Sequence, residues 1–266
     1  SGFFIYYRGC GVNTTKRLKK LGFNTISILE EVNTHIEFQE EILNEEASRL
    51  GIPINKKTSK FKRQIESYYS ADFILCPSTF VAKSFIKKGF DPDKLIINNF
   101  GREILNKDIT IETNENEFKL LYVGQIHYRK GLRYAIEAFK KMSYLRKKFY
   151  LVGPITGPSG IDLKKLPKNI IYLGVLKGKE LQNIYKQCSA FVLPSLEEGL
   201  ALVQSEALNA SLPLITTKNS GGEDLITNGK EGYIVPPGDE EKLLNCFEKL
   251  SFDIQLRRKM RYAAHQ

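Results

Sequence analysis

The sequence lacks the patterns that would mark a metal, redox or membrane-spanning protein. Its four cysteines, Cys10, Cys76, Cys188 and Cys246, stand far apart and form no ligand or thiol-exchange spacing. Cys76 and Cys188 sit in or beside apolar runs and are expected as small core residues. No apolar run approaches the roughly 20 residues of a bilayer span. No basic-then-apolar leader opens the chain. Internal repeats and low-complexity tracts are missing too. No cluster of ligand residue types suggests a metal site, so the expectation is no metal and no cofactor. A reducing, cytoplasmic setting is expected.

What is present is a globular composition. The 266 residues are 42% hydrophobic and 26% charged, which excludes a disordered chain and leaves room for two domains. The net charge of +10 comes largely from lysine clusters such as Lys16-Arg17-Leu18-Lys19-Lys20, Lys56-Lys57, Lys87-Lys88 and Arg146-Lys147-Lys148. Such runs are usually solvated faces. They also complement an anionic acceptor, or anionic lipid at the inner face of a membrane, where peripheral contact is the expectation considered. Nucleic acid is not an expected partner: the clusters are scattered, and no helix-turn-helix, zinc or aromatic RNA-binding signature accompanies them.

The chain is organised around residues 190–217. Ala190 to Leu193 is an apolar run without alternation, the pattern of a strand buried on both faces of a parallel sheet. Pro194 ends it, and Ser195-Leu196-Glu197-Glu198-Gly199 forms a turn. From Leu200 the spacing becomes helical, with Leu200, Val203 and Ala207 on one stripe, before Leu212-Pro213-Leu214-Ile215 starts another strand. The helix start leaves the N–H groups of Gly199, Leu200 and Ala201 without helical partners at the positive end of the dipole, a site suited to phosphate. Gly199 permits close backbone approach. Glu198 falls in the turn, and Glu206 falls beside Val203 and Ala207 on the apolar side, where a carboxylate needs a partner. From the residues alone, a capping acid at Glu198 with an ordinary surface acid at Glu206, and a functional pair, remain equally open.

In chain order, residues 3–7 read as a buried strand, 13–20 as a basic helix and 24–29 as a strand. Residues 30–35 form a polar loop ending in His35, at a strand's carboxyl end, where open α/β sheets take ligands. Helices follow at 36–50 and 60–70, a strand at 71–76, and a helix from Thr79 to Lys88 capped by Ser78. Lys94–Ile97 is a further strand, and the polar residues 106–117 are expected as the domain linker. Beyond it, Lys119–Val123 is a strand. Residues 124–131, Gly-Gln-Ile-His-Tyr-Arg-Lys-Gly, are its loop, and the helix from Leu132 carries Leu132, Ala135, Ile136 and Phe139 on one face. A Gly-rich helix start is expected at Ser220–Leu225, and two helices near 240–250 and 253–264 close the chain.

The string Pro194-Ser195-x-x-Glu198-Gly199, followed by Glu206-Ala207-Leu208, resembles the Glu-x7-Glu signature of the retaining GT-B glycosyltransferases of family GT4. The loop Gly124–Gly131 is similar to that family's V-G-R-x-x-x-x-K-G pattern, with Lys130 and Gly131 in place and Gln125 where an arginine is usual. The run from Ala71 to Gly101 resembles the last part of the family's N-terminal domain. The resemblance implies an α/β, GT-B-like fold of two Rossmann-like domains, 1–108 on the acceptor side and 109–266 holding the nucleotide sugar. It implies that Glu198 contacts the donor sugar and Glu206 its ribose. Lys130, with Gly124, Gly199, Leu200 and Ala201, would receive the diphosphate. Gln125 removes one of the family's two charges, for which neighbouring Arg129 is the candidate replacement. His35 would face the cleft as a catalytic side chain.

The implied activity is retaining transfer of a sugar from a nucleotide-diphosphate sugar to an acceptor, with nucleobase, sugar, acceptor and oligomeric state left open. The N-terminal domain looks incomplete beside the family pattern, and the last helix looks short. A non-catalytic nucleotide-binding remnant is therefore the alternative, and a nucleotide-sugar epimerase a weaker third reading. An incomplete sheet is also expected to expose an edge and apolar surface.

Overall fold

The computed structural model describes residues 2–54, 58–101 and 116–265. Positions 106–115 of the expected linker, and Lys56-Lys57, lie outside the described residues. By its internal contacts the chain forms two units, Ser1–Phe100 with Glu198–Leu200, and Gly101–Glu197 with Ala201–Gln266. Each is built on its own parallel sheet.

The first unit runs β1 (Gly2–Tyr7), α1 (Val12–Lys20), β2 (Thr25–Glu30), α2 (Ile36–Arg49), α3 (Ser59–Ser70), β3 (Phe73–Cys76), α4 (Thr79–Lys87) and β4 (Leu95–Ile97). The strands pair in sequence order, all parallel. Local chemistry sets the helix ends. Ser78 caps α4 by accepting the N–H of Val81 at 3.3 Å, and Gly22 and Gly89 close helices with left-handed φ of 72° and 86°. One face of the sheet is packed: Tyr6, Leu29, Ile74 and Cys76 meet Tyr68, Val81 and Phe85.

β1 departs from the sequence expectation. It is an edge strand whose residues alternate, with Tyr6 buried and Phe3, Ile5 and Tyr7 at 72%, 57% and 60% exposure. An apolar run reads as buried on both faces only when both faces are covered. Here Ile26 of β2, paired with Phe3, is also open at 39% exposure.

The second unit runs β5 (Phe118–Val123), α5 (Leu132–Lys141), β6 (Lys147–Val152), β7 (Ile170–Tyr172), α6 (Gly178–Gln187), β8 (Ala190–Leu193), α7 (Leu202–Asn209), β9 (Leu214–Thr217), β10 (Gly232–Val235), α8 (Glu240–Phe252) and α9 (Ile254–His265). The parallel six-stranded sheet has the order β10-β9-β8-β5-β6-β7. β8 is buried at all four positions, as its unbroken apolar run requires. The stripe Leu132, Ala135, Ile136 and Phe139 is the buried face of α5. Cys76, Cys188 and Cys246 are buried, and burial pushes each thiol up to about 12. The expected helix at Ser220–Leu225 is a single 3-10 turn, Gly222–Asp224. Among the described residues no helix is long and apolar enough to cross a membrane.

Candidate functional site

The second sheet reverses its winding between β5 and β8, which are neighbours: β6 and β7 extend one way, β9 and β10 the other. In open α/β sheets ligands bind outside the carboxyl ends of the strands at such a switch point. The segments leaving those two ends are 124–131 and 194–201, which carry the two motifs.

The loop after β5 is held by backbone. Gly124 N donates to Val152 O at 2.9 Å, Ile126 N to Pro154 O at 2.8 Å and Tyr128 N to Pro158 O at 2.9 Å, so the loop after β6 supports it. The buried Tyr122 donates its hydroxyl to Gln125 O at 2.6 Å, while Gln125 itself is exposed. His127 caps the 3-10 turn Tyr128–Lys130 by accepting Arg129 N at its Nδ1, 3.2 Å away. Burial, reinforced by Arg129 and Lys130, holds His127 below the usual histidine pKa, so the neutral ring keeps Nδ1 as an acceptor. Gly131 then turns the chain into α5 with φ 60°, and a Cβ there would meet Pro194 O at 2.1 Å. Lys130 is half-buried at that corner, two residues before α5 begins.

The loop after β8 is tied on both sides. Leu196 N donates to Arg129 O at 2.9 Å. The Nε of Arg129 donates to Glu197 O at 3.0 Å and lies 3.1 Å from Glu197 Oε2, whose side chain is fully buried. On the other flank, Thr217 Oγ1 donates to Ser195 O at 2.6 Å and Asn219 Nδ2 to Leu196 O at 3.0 Å. A buried set behind α7 joins Gln204, Thr216 and Ser220, with Thr216 Oγ1 donating to Gln204 Oε1 at 2.6 Å and Gln204 Nε2 to Ser220 O at 2.8 Å. Glu206 is exposed on α7 and accepts the hydroxyl of the buried Tyr185 at 3.0 Å. Burial and the Glu206 charge raise the Tyr185 pKa, so the phenol stays a donor.

The family profile described as glycosyl transferases group 1 matches residues 105–266, more than half of the chain. The chain belongs to the glycosyl transferases group 1 family. Among relatives, it is 28% identical over 218 residues to the sulfoquinovosyl transferase SQD2 of Arabidopsis thaliana, covering 74% of this chain and 41% of that protein. It thus spans less than half the length of that relative. Its fold matches the sucrose-phosphate synthase of Thermosynechococcus elongatus with a TM-score of 0.75 at 16% identity, over 99% of this chain and 67% of that one. It also matches Anabaena HepE, solved with UDP and glucose, with a TM-score of 0.64 at 13% identity, over 99% and 93%. These likenesses show the GT-B fold expected from the sequence.

In this glycosyl transferase chain, the second unit brings Gly124, Gln125, Arg129 and Lys130 on one loop to the ends of the same two strands from which Ala201 and Glu206 follow. Glu198 is half-buried, Gly199 and Leu200 are buried, and these three group with the first unit. The helix expected from Leu200 starts at Leu202, because Ala201 is extended at φ −78° and ψ 119°. The leading helical N–H groups therefore belong to Leu202 and Val203 rather than to Gly199–Ala201. Glu206 lies outward rather than among the apolar residues of its helix, since α7 buries Gln204, Ser205, Ala207 and Leu208.

Arg129, expected as a diphosphate ligand, has its Nε engaged by Glu197. His35, expected as a catalytic group, is 2% exposed inside the first unit, and its ring centroid lies 4.8 Å from Tyr68, 5.2 Å from Phe85 and 5.6 Å from Phe90. Its Nδ1 caps α2 by accepting Glu37 N at 3.3 Å, and burial first, then Lys88, lowers its pKa to about 4. A loop histidine is drawn inward here because aromatic side chains from α3 and α4 enclose the ring.

Two residues of the site were missed by sequence reasoning. Glu197 reads as one more acid of a polar turn, and no local signal points to Arg129, 68 residues away, as its partner. Tyr185 reads as a core aromatic of α6. The Asp-x-Asp string Asp91-Pro92-Asp93 is a turn element, with Asp91 Oδ1 accepting Asp93 N at 3.0 Å. No group of three or more His, Cys, Asp or Glu side chains among the described residues is placed to hold a metal ion.

Proposed function

We propose that the chain takes part in retaining sugar transfer from a nucleoside-diphosphate sugar to a hydroxyl acceptor. The observation that carries this reading is the meeting of the Lys130 loop and the Glu197 loop at the switch point of a Rossmann-like sheet in a chain of this family. Lys130 and the N–H groups at the start of α7 would receive the diphosphate, where negative charge grows as the sugar leaves. Glu206, steadied by Tyr185, would hold the ribose, and Glu198 the donor sugar, as the family motif implies. The bond between the anomeric carbon and the β-phosphate oxygen breaks, and the acceptor oxygen bonds to that carbon on the same face. The acceptor's proton passes to the leaving phosphate, which departs as nucleoside diphosphate.

UDP is the first nucleotide to test, because a structure of the same fold holds UDP and glucose. Isothermal titration with UDP, GDP and ADP on the unaltered chain, Lys130→Ala and Glu206→Ala tests the donor site. Binding of one nucleotide, weakened by both substitutions, supports the reading. Folded protein that binds none overturns it. Where a nucleotide binds, release of sugar from its nucleotide sugars, with and without hydroxyl acceptors, separates a transferase from a binding remnant.

A further inference from the structure

We infer that Glu197 is a positioning residue of the donor site: paired with Arg129, its buried carboxylate locks the Lys130 loop to the loop that leads into α7. The inference rests on the donor-site reading above and assigns a task to a side chain outside the Glu-x7-Glu motif.

The geometry is specific. Glu197 is fully buried, whereas Arg129 keeps 23% side-chain exposure, so the acid is the interior member of the pair. A carboxylate taken out of water is retained where a cation and hydrogen bonds meet it. Arg129 Nε meets Glu197 twice, at the carboxylate Oε2 (3.1 Å) and at the main-chain oxygen (3.0 Å). The main chains of the two loops are joined beside the pair by the bond from Leu196 N to Arg129 O at 2.9 Å. Gly131 completes the contact, with its Cα so near Pro194 O that a Cβ would lie 2.1 Å away. A side-chain ion pair, a main-chain bond and a glycine contact thus converge on Arg129–Gly131.

Lys130 sits between the two residues that make those contacts, so its backbone has little freedom. A flexible lysine places charge accurately only when its Cα is fixed. Arg129 therefore serves the donor site from behind the loop, through Glu197.

The test compares Glu197→Gln, Glu197→Asp, Arg129→Gln and the double variant Glu197→Gln/Arg129→Gln. One readout is titration with whichever of UDP, GDP or ADP binds the unaltered chain. The other, which needs no nucleotide, is amide hydrogen exchange over residues 124–131 and 194–197. Each Gln variant is expected to weaken nucleotide binding roughly 10- to 100-fold, the scale of a displaced contact. The double variant should be no worse than the poorer single one, because both remove the same lock. Exchange in both loops should quicken, and Glu197→Asp should recover part of the loss.

Unchanged affinity and exchange alongside a lower melting temperature would overturn the inference and leave a purely structural pair. So would an Arg129→Gln loss that exceeds and adds to the Glu197→Gln loss, since Arg129 would then meet the phosphates itself. If the unaltered chain binds no nucleotide, the donor reading fails, and exchange alone decides whether Glu197 locks the loops.

Discussion

Tyr185 Oη lies 3.0 Å from Glu206 Oε2 and donates to it, joining a buried residue of α6 to an exposed acid of α7. The phenol is enclosed and its pKa raised by burial, so the bond persists across working pH. An exposed carboxylate would otherwise sample several rotamers, and this bond selects among them. Tyr185→Phe should leave the fold intact and weaken nucleoside-diphosphate binding roughly 3- to 10-fold, the value of one bond to a charged group partly replaced by water. Glu206→Ala should weaken binding further and also cost about 1 kcal/mol of stability, because the buried hydroxyl loses its acceptor. Titration calorimetry and chemical denaturation of the two variants check both statements.

Lys130→Ala should reveal where on the nucleotide the lysine acts. Loss of a charged hydrogen bond to phosphate amounts to about 1.5–3 kcal/mol, or roughly 10- to 100-fold in affinity. The loss should appear with nucleoside diphosphate and vanish with the nucleoside alone. Raising the salt concentration should shrink it, as expected for a half-exposed charge pair. An equal loss with the nucleoside would place Lys130 away from the phosphates.

Gly131→Ala should destabilise the second unit strongly. The position has φ 60°, and a Cβ would lie 2.1 Å from the carbonyl oxygen of Pro194, so backbone strain and a clash with main chain add. The strain alone amounts to about 1–2 kcal/mol, and the clash forces one loop away from the other. A fall of at least about 5 °C in the melting of this unit is expected on the usual scaling. Gly229→Ala, at φ 87° but with open space around it, is the control and should cost less. Calorimetry on both variants provides the comparison.

Glu31 gives the first unit a pH signature. It is 1% exposed, and burial raises its carboxyl to about 7 despite Arg8 Nη1 at 3.4 Å and the N–H groups of Val32 and Asn33. The folded pKa thus lies above the unfolded value of 4.5, so the folded state binds more protons between those pH values. The associated stability is fully present below pH 4.5 and is lost as pH rises to about 7, by up to about 3 kcal/mol. His35 acts in the opposite sense. Its pKa is lowered from 6.5 to about 4, so its contribution is present above 6.5 and lost as pH falls through 4. The difference between the unaltered chain and Glu31→Gln isolates the glutamate: Glu31→Gln should gain relative stability from pH 5 to pH 8. Denaturant unfolding at the two pH values measures it, and a flat difference would reject the assignment.

Local pattern in the amino-acid sequence determined the elements and the two motif loops. The unbroken run Ala190–Leu193 reads as a doubly covered strand, and it is buried throughout. The stripe of α5 and the Ser78 cap are likewise local chemistry, and each is where the spacing put it. The Lys-Gly and Glu-x7-Glu strings were enough to point to the family. Tertiary structure decided what each side chain meets. Phe3, Ile5 and Tyr7 look like core residues until the sheet is seen to leave that face open. His35 looks like a loop histidine until aromatic rings from two helices close around it. Glu197 and Glu198 are adjacent and chemically identical. Which of them goes inside depends on Arg129, 68 residues away, and no local pattern carries a contact of that range. Periodicity encodes which face of an element is apolar, whereas burial, pairing and pKa follow from what the fold brings against it.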